Sequence, residues 1–221
     1  MSVIISAREI HRGFQDMQVL KGIDLDVSEG EFLAIIGRSG VGKSTLLSVL
    51  GTHDPGYSGS LSIAGHSVRS LSSAALATLR RERLGFVFQD FYLLPNLTAM
   101  ENVILPVVFS GGDLTAAREQ ARKVLDHLSV RIDDTPTSVL SRGERQRVAV
   151  ARGLVNRPSV LMADEPSASL DEQSESVLFD LLEELRQRQG FAMIAVVHST
   201  SVLDRADRIL RLVDGVLHEV E

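Results

Sequence analysis

Residues 37–44, GRSGVGKS, match the spacing G-x-x-x-x-G-K-[ST], which suits the binding of phosphate groups. The glycines allow successive backbone N–H groups to point at phosphate oxygens. We expect Lys43 to reach the β- and γ-phosphates of a nucleotide and the Ser44 hydroxyl to coordinate Mg²⁺. The alternative, a glycine-rich turn without a ligand, is disfavoured because the full motif joins an apolar strand to a helix. The predicted phosphate-binding residues are Gly37, Arg38, Ser39, Gly40, Val41, Gly42, Lys43, Ser44 and Thr45.

Two adjacent carboxylates, Asp164 and Glu165, end the apolar segment VLMADE. Parallel sheets bind ligands at the carboxyl ends of their strands, so this position suits two carboxylates that act on one ligand in different roles. We expect Asp164 to hold Mg²⁺ through water and Glu165 to polarise an attacking water molecule as general base. Without the phosphate motif, a solvated loop start would be the better interpretation of these two residues.

Gln89 and His198 have the same strand-end position, in GFVFQ and FAMIAVVH. Gln89 could reach the metal or the water from there. The alternative for each residue is an exposed polar side chain at the end of a strand. The phosphate and carboxylate motifs elsewhere in the chain favour the functional interpretation.

The segment at 139–155, VLSRGERQRVAVARGLV, contains four arginines. Ser141 and Glu144 have the spacing of a capping box, which predicts a helix over 142–156. We expect Val148, Ala151, Leu154 and Val155 to form its buried face and the arginines to occupy the other face. A capped helix without a ligand explains these residues, but an exposed helix start with a hydroxyl group and Gly143 is also suited to anions.

The composition excludes several classes of function. With no cysteine among its 221 residues, the chain has no disulfide, thiolate catalyst or cysteine zinc site. A net charge of −6 disfavours nucleic acid as a partner. The apolar runs are too short for a membrane span or a secretory signal, so we expect a cytoplasmic location.

Short apolar segments that alternate with helical ones predict an α/β fold with a parallel sheet covered on both faces. The segment at 91–157 lacks strand-like runs and predicts helices at 98–105, 114–128 and 142–156. We therefore predict one domain over 1–221. Its core comprises 1–90 and 158–221, and a helical subdomain is inserted over 91–157.

The order of GRSGVGKST, GFVFQD, LSRGERQRV, LMADEP, SLD (169–171) and VVHS resembles that of ABC-type ATPases, the nucleotide-binding subunits of membrane transporters. The resemblance covers essentially the whole chain. Finer details are similar to the lipoprotein-releasing, macrolide-exporting and cell-division subgroup. The resemblance implies a P-loop NTPase core, with antiparallel N-terminal strands beside a parallel RecA-like sheet, and an inserted helical subdomain.

In such proteins two subunits close head to tail around two ATP molecules with Mg²⁺. The resemblance implies that Phe14 stacks on adenine and that Gln89 senses the γ-phosphate and the metal. It also implies that Asp171 reaches across the dimer and that His198 contacts the γ-phosphate. The signature segment, residues 141–144, would complete the ATP site of the other subunit through Ser141, Gly143 and Glu144.

The chain departs from the family pattern at Arg142, where the family usually has glycine. As the first helical residue, Arg142 needs no glycine conformation, and we expect its side chain to point away from the phosphate or to lie at the dimer seam. A milder departure is PSASLD, where the subgroup commonly has Thr-Gly-Asn between the proline and the leucine.

The predicted function is that of an ATP hydrolase, working as a homodimer on the cytoplasmic side of a membrane with a permease supplied by a separate chain. A cell-division complex that couples ATP to wall enzymes is the first alternative. A DNA-linked ATPase and a catalytically degenerate subunit of a heterodimer are the others. No nucleic-acid partner is expected.

Overall fold

The computed structural model describes residues 2–168 and 170–220. Its strands are β1 (Val3–Phe14), β2 (Met17–Ser28), β3 (Phe32–Ile36), β4 (Ser58–Ile63), β5 (His66–Ser67), β6 (Leu84–Val87), β7 (Val160–Asp164), β8 (Ala192–Val196), β9 (Arg208–Val213) and β10 (Val216–Glu219). Its α-helices are α1 (Lys43–Leu50), α2 (Ser73–Arg83), α3 (Ala99–Ser110), α4 (Leu114–His127), α5 (Arg142–Leu154), α6 (Glu172–Gln189) and α7 (Thr200–Leu203).

The described strands form two sheets. A four-stranded antiparallel sheet has the order β2-β1-β4-β5, and a six-stranded sheet has the order β10-β9-β3-β8-β7-β6. The latter is parallel except that β10 pairs antiparallel with β9. The predicted α/β fold, with antiparallel N-terminal strands beside a parallel sheet, is confirmed.

The six-stranded sheet separates two hydrophobic cores, which explains why its central strands are apolar throughout. On β3, Phe32 and Ala34 belong to the core that contains α3 to α6. The alternate residues Leu33 and Ile35 belong to the core shared with α1 and the antiparallel sheet. Both faces are therefore covered, and the strand ends are left to carry polar side chains.

Helices α4 and α5 agree closely with their predicted ranges, whereas α3 is longer than the predicted 98–105. It begins at a capping box formed by Thr98 and Glu101 and continues through Pro106 to Ser110. Burial of Val103 and Val107 on either side of the proline favours continuation of the helix, since proline removes only one backbone donor. Gly111 ends α3 with a φ of 68°.

In the described part of the chain, none of the helices combines the length and the apolar character needed to cross a membrane.

Candidate functional site

The phosphate-binding loop connects the end of β3 to the start of α1, as the motif predicts. Gly40 and Gly42 have φ values of 77° and 111°, which side chains rarely adopt. A Cβ atom on Gly42 would lie only 2.6 Å from Cγ1 of Val19. A side chain at position 42 would therefore clash with Val19 of β2 in addition to straining the backbone, which explains the glycine there.

Lys43 is buried at the first position of α1. Its Nζ donates hydrogen bonds to the carbonyl oxygens of Gly37 at 2.9 Å and Arg38 at 3.0 Å. The ammonium group therefore folds back onto its own loop. This arrangement keeps a positive charge beside the backbone that is expected to surround the phosphates.

Asp164 ends β7 and lies beside the Ser44 hydroxyl, and both residues line one cavity. Burial raises the pKa of Asp164 and the charge of Glu165 raises it further, against opposing effects of Ser44, Lys43 and His198. Its Oδ1 is buried and has no hydrogen-bond partner among residues 2–168 and 170–220. A buried, unpaired carboxylate oxygen needs a cation or another donor.

These two oxygen ligands fit Mg²⁺. The ion favours carboxylate and hydroxyl oxygens and usually keeps positions for phosphate and water. Within the described residues, no cluster of three or more His, Cys, Asp or Glu side chains could hold a metal on its own. Ser44 and Asp164 would therefore hold Mg²⁺ together with the phosphates, and they are the residues that the sequence predicted.

Glu165 and His198, which follow the neighbouring strands β7 and β8, are brought into direct contact. The His198 Nε2 lies 2.8 Å from the Glu165 Oε1. Glu165 has a φ of 47°, which is unusual for a residue with a side chain and is common where function depends on geometry. The fold thus presents a partly exposed carboxylate, oriented by an imidazole, next to Asp164.

Phe14 ends β1, with 45% of its surface exposed. It lines a cavity together with Ser44, Thr45 and Ser48 of α1. An aromatic ring is therefore available beside the phosphate-binding loop, as expected for a residue that stacks on a base.

Gln89 does not end its strand. Strand β6 ends at Val87, and Gln89 lies in the exposed turn that follows. It lines a cavity with Arg142 and Arg145 of α5, whereas Ser44 and Asp164 line a different one. Gln89 therefore follows the last residue of β6 by two positions, just as His198 follows β8, but it shares its cavity with α5 and not with Ser44 and Asp164.

The capping box at the start of α5 is confirmed. The Ser141 Oγ accepts a hydrogen bond from the Glu144 N–H at 3.3 Å, and the Glu144 carboxylate accepts one from the Ser141 N–H at 2.9 Å. The Ser141 hydroxyl also donates to the same carboxylate at 2.7 Å. Hydrogen bonds from the Ser141 hydroxyl and backbone hold the pKa of Glu144 below its usual value.

The prediction that the arginines occupy the whole face of α5 opposite its buried face is wrong in part. Gln146, Ala149 and Val150 are buried as well as the four predicted core residues, so most of the helix surface is covered. Arg152 donates hydrogen bonds to the carbonyl oxygens of Phe91 and Tyr92. Both of these residues have positive φ values, so Arg152 supports an unusual backbone conformation.

Arg142 and Arg145 extend toward the same loop. The guanidinium carbon of each arginine lies 6.0 Å from the centroid of the Phe91 ring. Arg142 is exposed at the first helical position, as predicted, and its side chain faces the turn after β6. The arginines thus hold the turn that contains Gln89.

Asp171 caps α6 within its own subunit. Its Oδ1 accepts a hydrogen bond from the Ser174 N–H at 2.8 Å, and its Oδ2 accepts one from the Ser174 hydroxyl at 3.1 Å. These bonds lower the pKa of Asp171. Ser169, the first residue of the SLD motif, lies outside the described residues.

Asn102, which is fully buried in α3, was not among the predicted residues. Its Oδ1 accepts a hydrogen bond from the Leu94 N–H at 2.8 Å. The two hydrogens of its Nδ2 are shared among nearby acceptors, the carbonyl oxygens of Leu94, Leu97 and Thr98 at 3.0 to 3.2 Å and the Thr137 hydroxyl at 3.4 Å. The signal was a single amide in the apolar run ENVILP, and its partners could not be inferred from spacing.

The fold and the site together define a P-loop nucleotide-binding ATPase: a glycine loop and a buried lysine at the end of one strand, and two carboxylates at the end of another. Residues 20–168 match the ABC transporter family. The chain belongs to this family and is an ATP-hydrolysing cassette of the ABC type.

Two relatives show how far the similarity extends. The chain is 44% identical over 224 residues to the lipoprotein-releasing system ATP-binding protein LolD 1 of Caulobacter vibrioides, covering 98% of this chain and 95% of that protein. It is 42% identical over 211 residues to the macrolide export ATP-binding/permease protein MacB of Rhodopirellula baltica. That match covers 94% of this chain but only 31% of MacB.

A dimeric structure of the ABC transporter cassette MJ0796 is also similar, with a TM-score of 0.88, 33% identity and 98% coverage of both chains. A second dimeric structure of MJ0796, in a post-hydrolysis state with ADP and Pi, matches with the same TM-score at 32% identity.

Proposed function

We propose that this chain is the ATP-hydrolysing subunit of a membrane transport complex. It works as a head-to-tail homodimer around two ATP molecules with Mg²⁺, peripheral on the cytoplasmic face of the membrane and bound to a permease on a separate chain. The observation that carries the proposal is the cluster of Lys43, Ser44, Asp164, Glu165 and His198 around one loop. ATP and Mg²⁺ are the ligands that this cluster suits.

Each residue of the cluster has a defined task in the proposed reaction. Ser44 and Asp164 would hold Mg²⁺, which would neutralise negative charge on the phosphates. The Lys43 ammonium binds the β- and γ-phosphate oxygens. The Glu165 carboxylate accepts a proton as a water oxygen attacks the γ-phosphorus and the bond to the ADP oxygen breaks. The His198 imidazole, 2.8 Å from Glu165, orients that carboxylate.

The start of α5 supports a site completed by a second subunit. Gly143 has an ordinary helical position, and a Cβ there would meet only atoms at 3.6 Å or more. The protomer itself therefore does not require glycine at this position. A close approach of phosphate to the Gly143 N–H and the exposed Ser141 hydroxyl supplies a reason for it. Asp171 and Gln89 join this composite site in the proposal.

A groove, lined among others by Arg80, Arg81, Phe86, Tyr92, Phe109 and Arg152, supports a permease partner. Phe109 is 83% exposed and Tyr92 is 66% exposed. Exposed aromatic side chains beside arginines suit a protein segment with apolar and acidic residues. The groove also contacts the turn after β6, which links a bound permease to Gln89.

The names of the relatives favour transport over the alternatives. Both are components of release or export systems, whereas a DNA-linked ATPase is disfavoured by the net charge of −6. Intact Lys43, Asp164, Glu165 and His198 argue against a degenerate subunit. A cell-division complex differs in the permease rather than in this chain, and the relatives reported above do not favour it.

Replacing Glu165 with Gln tests the proposal. We expect the E165Q variant to bind ATP and to form a stable ATP-dependent dimer in size-exclusion chromatography, while its hydrolysis rate falls by at least about a hundredfold. Glu119→Gln, an exposed carboxylate paired with Lys123, is the matched control and should hydrolyse ATP like the wild type. Hydrolysis at the wild-type rate by E165Q would show that Glu165 is not the base.

A further inference from the structure

The Arg12 side chain packs against the ring of Phe14. Its guanidinium carbon lies 3.9 Å from the centroid of that ring. At this distance the guanidinium group stacks on one face of the aromatic side chain.

Three further contacts hold the guanidinium group in place. Its Nε donates to the Asp54 Oδ2 at 2.7 Å, and both side chains are largely buried. Its Nη1 donates to the Gly13 carbonyl oxygen. A Cβ atom on Gly56 would lie 2.9 Å from the Arg12 Cζ, so the group fits closely against this glycine.

Asp54 is itself fixed by the chain that follows it. Its Oδ1 accepts a hydrogen bond from the Gly56 N–H at 2.8 Å. Burial alone would raise the pKa of Asp54, but the hydrogen bonds from Arg12 and the Gly56 N–H lower it. The Asp54 carboxylate is therefore charged at neutral pH and orients the guanidinium group from the loop after α1.

The Phe14 ring keeps exposed surface while Arg12 covers part of it. The Phe14 residue is 45% exposed, and it lines the cavity that it shares with Ser44, Thr45 and Ser48. A base that enters this cavity can stack on the surface that the guanidinium group does not cover. The base, the Phe14 ring and the Arg12 guanidinium group would then form a three-layer stack.

We propose that Arg12 is a positioning residue for the adenine-binding ring of Phe14, and that Asp54 and Gly56 hold it there. The inference rests on the proposed ATP site. A fixed guanidinium group restricts the motion of the exposed ring before the base arrives, so less entropy is lost on binding. It also adds a cation–π contact to the stack. The contribution therefore concerns the base and not the phosphates.

The test compares a ligand that has a base with one that lacks it. Binding of a non-hydrolysable ATP analogue and of inorganic tripolyphosphate, each with Mg²⁺, is measured by calorimetry. We expect Arg12→Met to weaken binding of the ATP analogue about fivefold and to leave tripolyphosphate binding unchanged. Arg12→Lys, which keeps the charge without the planar group, should show a smaller loss. In ATPase assays KM should rise while kcat stays the same.

Arg8→Met is the matched control, because Arg8 lies on the same strand and pairs with Asp26 at 2.6 Å. It should leave both affinities unchanged. Equal losses for the two ligands in Arg12→Met would overturn the proposal, since Arg12 would then act on the phosphates or on folding. The proposal would also be overturned if Arg12→Met bound the ATP analogue with wild-type affinity while Phe14→Ala bound it weakly. Unchanged binding in Phe14→Ala would refute the adenine contact itself, and a wild-type protein that binds neither ligand would refute the proposed ATP site.

Discussion

Ser141 has two interpretations, as a helix cap and as a phosphate ligand for the other subunit, and two substitutions separate them. Ser141→Ala removes the side-chain oxygen that accepts from the Glu144 N–H. Ser141→Asp keeps an acceptor at the N-cap, where aspartate is as favourable as serine, but adds a negative charge. Because the Ser141 hydroxyl also donates to the Glu144 carboxylate, both variants are made with Glu144→Gln, which keeps a capping-box residue and removes the carboxylate that would repel the aspartate. The two variants therefore rank in opposite orders under the two interpretations.

The magnitudes follow from the geometry of the capping box. Loss of an N-cap acceptor costs about 1 kcal/mol, and the exposed helix start lets water reach the freed N–H group. The Ser141→Asp variant should lie closer to the wild type in its free energy of unfolding. Next to a bound γ-phosphate, however, a carboxylate at about 5 Å and an effective dielectric constant of about 20 costs about 3 kcal/mol per phosphate charge. That energy corresponds to about a hundredfold weaker association.

The assay measures the free energy of unfolding by denaturant titration and the ATP-dependent dimer by light scattering. Every protein compared, including the one with Ser141, carries Glu144→Gln, and Glu165→Gln so that ATP is retained. We expect Ser141→Ala to be less stable than Ser141→Asp, but to dimerise better with ATP. If Ser141→Asp dimerises as well as the wild type, the contact between Ser141 and the phosphate is refuted, and the residue is only a helix cap.

The remaining predictions concern the phosphate loop, the metal ligand and the signature segment. Gly40→Ala should cost about 1 kcal/mol because of its positive φ, and Gly42→Ala about 3 kcal/mol because its Cβ also meets Val19, as measured by thermal unfolding and nucleotide binding. Burial raises the pKa of Asp164 above the usual 3.8, so the nucleotide-free protein should lose stability as the pH rises through that pKa. Protonation of Asp164 should also weaken Mg²⁺ binding as the pH falls toward this raised pKa. In denaturant titrations at several pH values, Asp164→Asn should lack the loss of stability with rising pH. Arg142→Gly should cost about 1 kcal/mol of stability and change the ATPase rate modestly, and a large gain in rate would show that Arg142 impairs the native site.

Much of the fold could be predicted because its signals are local. Each of the apolar segments of β3, β7 and β8 consists of a few consecutive residues, as does the glycine motif of the phosphate loop. The capping box that starts α5 is equally local. Helix α3 was predicted too short, because its passage through Pro106 depends on burial of Val103 and Val107 against other elements. Local preference alone would have ended the helix at the proline.

Residue types and short spacings were enough to predict the chemistry of the site: a loop for phosphates, a hydroxyl and a carboxylate for Mg²⁺, and a candidate base at a strand end. These follow from residue types at short spacing and from the rule that parallel strands end at one edge. Which side chains come into contact depends on the tertiary structure. The contact of Glu165 with His198 depends on the pairing of β7 with β8. The contacts of Arg152 with the turn after β6 and of Arg12 with Asp54 join segments far apart in the chain. The physical reason is that long-range contacts arise from packing and strand register, which no local pattern records.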